Sequence, residues 1–77
     1  MLEEFLDCLE EMKIQFKDTP IEITETETDD YIRVKFVYDN RAITKTFDKY
    51  TISQLAGYKY LNHILGELYD CIDAVRW

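Results

Sequence analysis

Beyond residue 50 the apolar residues keep a single period to the end of the chain. Tyr58, Leu61, Leu65, Leu68, Ile72 and Val75 follow one another in steps of three or four, while Lys59, His63, Glu67, Asp70 and Ala74 take the opposite side. That spacing lays six large side chains along one stripe of an α-helix. Tyr60, Ile64 and Cys71 widen the stripe on one flank and Tyr69 widens it on the other. Thr51 and Gln54 match a capping box, with Tyr50 and Leu55 placed as its hydrophobic staple, so the pattern predicts one helix over residues 51–75. At about 1.5 Å per residue it would be about 36 Å long, whereas an eight-residue strand reaches about 27 Å. Such a helix overhangs its own sheet, and its wide stripe needs cover. Of the glycines, Gly57 falls on the apolar side and Gly66 on the polar side, where a helix glycine costs about 1 kcal/mol relative to alanine.

Upstream, Leu2, Phe5, Leu9, Met12 and Phe16 recur at helical spacing, with Leu6 on the same side, which predicts a first helix from residue 2 to about 16. Ile14 falls on its acidic back. Asp18-Thr19-Pro20 breaks the pattern, and a β-meander follows. Asp39-Asn40 offers residues that tolerate positive φ in a two-residue hairpin loop. With that loop Tyr38 faces Arg41, Phe36 faces Ile43, Val34 faces Lys45 and Ile32 faces Phe47. A two-residue loop at Asp29-Asp30 likewise sets Ile21 opposite Tyr38, Ile23 opposite Phe36, Glu25 opposite Val34 and Glu27 opposite Ile32. Ile32, Val34, Phe36, Ile43 and Phe47 then share the buried face, and Thr24, Thr26, Arg33, Lys35 and Thr44 the solvated one. Glu25 and Lys45 point inward from the two edge strands, where charges discourage edge pairing. The expected architecture is α+β, in the order α-β-β-β-α. It is a single domain with a three-stranded antiparallel meander and both helices packed on one face.

This order resembles the topology of the double-stranded-RNA-binding domain. That family carries a lysine cluster at the start of its second helix and a basic loop between strands, where this chain has Thr51-Ile-Ser-Gln-Leu-Ala-Gly57 and Asp29-Asp30. An acidic first helix also repels phosphates, so no nucleic-acid binding is expected from the resemblance.

The net charge of −7 is unevenly spread. Residues 1–30 hold eleven acids against two lysines, a net of −9, and residues 31–77 hold five acids against seven bases, a net of +2. An acidic pole of this kind repels nucleic acid and anionic membrane and favours basic partners. Cys8 and Cys71 have no disulfide-framework spacing and are expected to be free. No apolar run approaches the ~18 residues of a membrane span, and Met1-Leu-Glu-Glu has neither part of a signal peptide, so a soluble cytoplasmic protein is expected.

Catalytic parts are scarce. Ser53 is the only serine and belongs to a helix start. His63, Glu67 and Asp70 share a helix face, yet a metal site needs three or four converging ligands and there is no second histidine. Glycine-rich phosphate loops are absent, since the chain has two glycines in all. Neither an enzyme nor a bound cofactor or metal is expected.

The leading functional expectation is a binding protein that occupies a basic, nucleic-acid-binding surface of a partner protein. Glu3, Glu4, Asp7, Glu10 and Glu11 space carboxylates about 5 to 6 Å apart from turn to turn, comparable with phosphates along a strand. Asp18, Glu22, Asp29 and Asp30 extend the pole. In size and charge the chain resembles small acidic inhibitors encoded by viruses and mobile elements, including anti-CRISPR proteins, although no motif carries that likeness. The alternative is a homodimeric structural or regulatory protein joined through its last helix, with Tyr60, Ile64, Cys71 and Trp77 at the seam. A third expectation is a sheet-edge or outer-face reader of a peptide, using Tyr31, Arg33, Lys35 and Thr44.

Overall fold

A computed structural model describes residues 2–54 and 58–77, with the side chains of 58 and 59 outside the description. The elements run α1 (Leu2–Gln15), β1 (Glu22–Glu27), β2 (Tyr31–Tyr38), β3 (Arg41–Asp48), α2 (Lys49–Gln54) and α3 (Tyr58–Arg76). The strands form one antiparallel sheet in the order β1-β2-β3.

Asp39 and Asn40 adopt φ of 49° and 66°, the signature of the tight hairpin loop whose twist matches the strands it joins. Tyr38 therefore pairs with Arg41, and the register continues through Phe36 with Ile43, Val34 with Lys45 and Ile32 with Phe47, as the alternation predicts. The first hairpin keeps the expected register as well, with Ile23 opposite Phe36 and Glu25 opposite Val34. Its turn is built differently, since neither Asp29 nor Asp30 has positive φ. The Thr28 hydroxyl accepts from the backbone N–H groups of Asp30 (3.3 Å) and Tyr31 (3.1 Å), while the Thr28 N–H donates to the Tyr31 carbonyl at 2.9 Å.

All helices cover the same face. Phe5, Leu9 and Met12 of α1, Ile52 of α2, and Leu61, Ile64, Leu68, Ile72 and Val75 of α3 close over Ile32, Val34, Phe36 and Phe47. The Phe5 ring meets Phe47 edge-on at 5.3 Å. Further along, the Tyr69 hydroxyl donates to Gln15 Oε1 at 2.9 Å, and its ring lies 6.5 Å from that of Phe16. The α1 and α3 helices thus lie side by side, both running from the Phe47 end of the sheet toward Tyr38 and Arg41. Among the described residues no helix is long and apolar enough to cross a membrane.

Three expectations for the last helix are corrected. Helix begins at Lys49, not Thr51, because Asp48 ends β3 and serves as the cap: its Oδ2 accepts from the Thr51 N–H at 3.0 Å and the Thr51 hydroxyl at 2.9 Å. Tyr50 lies inside the helix and is exposed, while Leu55, its expected staple partner, and Gly57 lie outside the described residues. Nor does the helix overhang: α3 has 19 residues, about 28 Å at the α-helical rise, which matches strands of eight residues. Asp48→Ala is expected to cost about 1 kcal/mol, the typical value for losing such a cap, read as a lowered denaturation midpoint. Gly66 has open space where a Cβ would go, so Gly66→Ala is expected to stabilise by about 0.5 to 1 kcal/mol, with a raised melting temperature as the readout.

Glu25 and Lys45 point inward as expected, but each is held by a helix. Lys13 of α1 pairs with Glu25, and Lys45 lies 3.6 Å from Glu67 of α3. The inward charges thus clip one helix to each edge strand.

Candidate protein-interaction surface

The acidic surface follows from how α1 is anchored. Phe5, Leu9 and Met12 take its core side, Lys13 reaches down to β1, and Gln15 and Phe16 turn toward α3. Helical geometry then leaves Glu3, Glu4, Asp7, Glu10 and Glu11 on the outward side, and all five are exposed. Ile14 lies on the same side, one turn past Glu10 and Glu11, at 63% exposure.

These carboxylates are not equivalent. Glu10 accepts from Lys13 Nζ at 3.1 Å, and that hydrogen bond, with the lysine charge, holds its carboxyl below its ordinary 4.5. Glu4 is also lowered, chiefly by a backbone hydrogen bond in the first helical turn. Glu3, Asp7 and Glu11 form no ion pair with any described residue. At Lys13, partial burial disfavours the charge, but the hydrogen bonds to Glu25 and Glu10 and their negative charges outweigh it and raise the pKa above 10.5. A raised lysine stabilises the fold below its unfolded value and loses that contribution as pH rises through the folded one. A lowered carboxyl stabilises above its unfolded value and loses it as pH falls through the folded one. The melting-temperature gap between the natural chain and Lys13→Met should therefore hold steady from about pH 5 to 10. It should shrink below pH 4.5 and above pH 10.5.

The remaining acids sit elsewhere. Asp18 lies just past the end of α1, at the same end of the molecule as Ile21 and Tyr38. Glu22 opposes Val37 and alternates to the outer sheet face, at the strand end where a groove is shared with Lys13, Phe16 and Lys17. Asp29 and Asp30 form the first turn at the opposite end, where the Asp30 carbonyl accepts from the Lys49 N–H at 2.9 Å. The structure therefore gathers five of the nine expected partner-binding acids on one helix side and places Glu22 on the other face of the sheet.

The expected dimer residues also divide. Tyr60, Ile64 and Cys71 lie on the flank of α3 beside β3, where two shallow grooves share Glu67 as a common wall. One, of about 300 Å³, is lined by Ile43, Lys45, Glu67, Asp70, Cys71 and Ala74. The other, of about 190 Å³, includes Phe47, Ile52, Tyr60 and Ile64. Trp77 stands apart, past the end of α3 and 91% exposed. Sequence reasoning missed that the free backbone of β3 runs along this seam, although every three-stranded meander has two edges.

Other chemistry is sparse among the described residues. No group of three or more His, Cys, Asp or Glu is placed to hold a metal ion, and His63 instead lies 3.4 Å from Glu67 one turn on. Cys8 and Cys71 are free and half-buried, and burial is the main cause that pushes both thiols up. Arg33 stacks over the Tyr31 ring at 5.1 Å on the open sheet face.

No protein-family model, curated protein or solved structure matches the chain.

Proposed function

We propose that the chain is a non-enzymatic cytoplasmic binding protein whose acidic α1 surface occupies a basic, nucleic-acid-binding surface of another protein, in the manner of a viral or mobile-element inhibitor. The observation that carries this reading is the crowding of five exposed carboxylates on one side of a fourteen-residue helix. Asp7 has Glu3, Glu4, Glu10 and Glu11 at three- or four-residue spacing, and each such like-charge pair destabilises a helix by about 0.2 to 0.5 kcal/mol. Solubility needs only net charge, which dispersed acids supply without that cost. Ile14 fits the same purpose as an exposed apolar contact at the end of the acidic row. Free, half-buried thiols at Cys8 and Cys71 suit a reducing compartment.

The experiment is capture from host lysate on the immobilised chain at low and at moderate salt. Exposed charge pairs are screened over about 8 to 10 Å at physiological ionic strength. The proteins retained should elute between the two salt steps, and the same proteins should bind a heparin column. Retention of only salt-resistant, heparin-negative proteins would refute this function.

A second reading, a homodimeric structural or regulatory protein, is favoured by the gathering of Tyr60, Ile64 and Cys71 on one seam beside β3. No cofactor enters either reading.

A further inference from the structure

The two sheet edges differ in what they offer. The loop at Asp39-Asn40 makes Tyr38 and Arg41 a hydrogen-bonded pair, so bonding alternates through Ile43, Lys45 and Phe47, whose backbone groups face β2. The N–H and C=O groups of Ala42, Thr44 and Thr46 consequently point away from the sheet, along an open edge. On β1 the Thr28–Tyr31 bond sets the opposite phase, and the outward backbone groups belong to Ile23, Glu25 and Glu27. Glu25 is taken by Lys13 of α1 and Glu27 by Lys49 of α2 at 3.1 Å, so inward charges and their helix-borne partners line this edge. Along β3 the corresponding side chains are a small alanine and two threonines, and the one inward lysine is drawn toward Glu67.

We propose that β3 is the contact edge of a twofold homodimer, in which Thr44 lies on the axis opposite Thr44 of the partner subunit and the two sheets join as one. This rests on the homodimeric reading above and replaces a helix-only seam with a paired edge. Charge excludes two registers, and a Thr46-centred pairing overlaps only residues 44–48 of β3. Pairing centred on Lys45 sets two lysines face to face, and pairing centred on Ile43 sets Arg41 opposite the partner's Lys45. Centring on Thr44 sets Ala42 opposite the partner's Thr46, Ile43 opposite the partner's Lys45 and Arg41 opposite the partner's Phe47, with no like charges in register. The groove beside Ile43 is walled by Asp70, which forms no ion pair among the described residues, so Lys45 of the partner subunit arrives next to an unneutralised carboxylate. The same arrangement brings the Cys71 and Ala74 flanks of the two α3 helices toward each other above the joined sheet. It also leaves both acidic α1 surfaces at the far ends, where they repel least. Because the same edge serves both subunits, the contact closes on itself and ends at two copies.

The test is sedimentation of the natural chain and of Thr44→Pro over micromolar to millimolar concentration, with circular dichroism to confirm folding. The Thr44 N–H is not used within the subunit, so proline is tolerated there, but two axial hydrogen bonds are lost from the dimer. The dissociation constant should rise about tenfold or more. Independently, Thr44→Cys should cross-link to itself on oxidation, since a hydrogen-bonded antiparallel pair sets its Cα atoms about 5.5 Å apart, within disulfide reach. Ala42→Cys alone should not, and mass spectrometry of the linked peptides identifies the 44–44 bond. A dimer that Thr44→Pro leaves intact and Thr44→Cys fails to cross-link overturns the paired edge while the helix-seam dimer stands. A natural chain that stays monomeric throughout overturns both.

Discussion

Phe36→Ala is expected to leave the protein largely unfolded at room temperature. Phe36 is fully buried at the middle of the central strand, with Ile23 opposite on one side and Ile43 on the other, and both long helices packed above the sheet. Truncating a buried phenylalanine costs about 3 to 5 kcal/mol, because transfer free energy is lost and the cavity collapses only in part. A core of this size supplies only about 3 to 5 kcal/mol of net stability, so the loss is comparable with the whole. Thr24→Ala, on the open face, should change stability by less than about 0.5 kcal/mol. Urea denaturation of the two variants makes the comparison, and a Phe36→Ala midpoint near that of the natural chain would contradict the observed packing.

The second large effect is on binding. Glu3→Lys, Asp7→Lys and Glu11→Lys combined should reduce partner capture to background while leaving the fold intact, since the three side chains project outward and form no ion pair with any described residue. Glu10 is left in place because it accepts from Lys13, which also holds β1 through Glu25. The change turns the repulsions of residue 7 with Glu4 and Glu10 into attractions while the 3–7 and 7–11 pairs stay like-charged, so a variant that melts no lower and binds nothing separates function from fold. Unchanged capture by this variant would assign the acids to solubility.

Much of the architecture was legible in the chain because two periodicities are strong. Alternation across residues 31–48, with one tolerant dipeptide at Asp39-Asn40, was enough to fix the register of every pair in the second hairpin. The first hairpin is in the expected register even though its turn uses the Thr28 hydroxyl in place of positive φ, because two residues still separate the bonded pair Thr28 and Tyr31. The start of helix after β3 was less legible. Thr51 looks like a cap in sequence, but Asp48 stands three residues earlier with a carboxylate that reaches the Thr51 N–H, and the strand passes into helix without a loop. The pairing of Lys13 with Glu25 depends on the angle at which α1 crosses β1, a tertiary quantity that no local pattern encodes. In sequence Glu22 follows the acids of α1 closely, whereas strand alternation opposite Val37 turns it to the outer face of the sheet.

If the α1 surface occupies a partner's nucleic-acid site, a bound oligonucleotide must leave as the chain binds. The direct measurement is fluorescence anisotropy of a labelled oligonucleotide bound to a captured partner, titrated with this chain. The expected result is a fall to the free-oligonucleotide value at stoichiometric chain, with no fall when the Glu3→Lys, Asp7→Lys, Glu11→Lys variant is added. Anisotropy that stays high or rises as the chain binds, marking a ternary complex with the oligonucleotide still in place, would contradict the account.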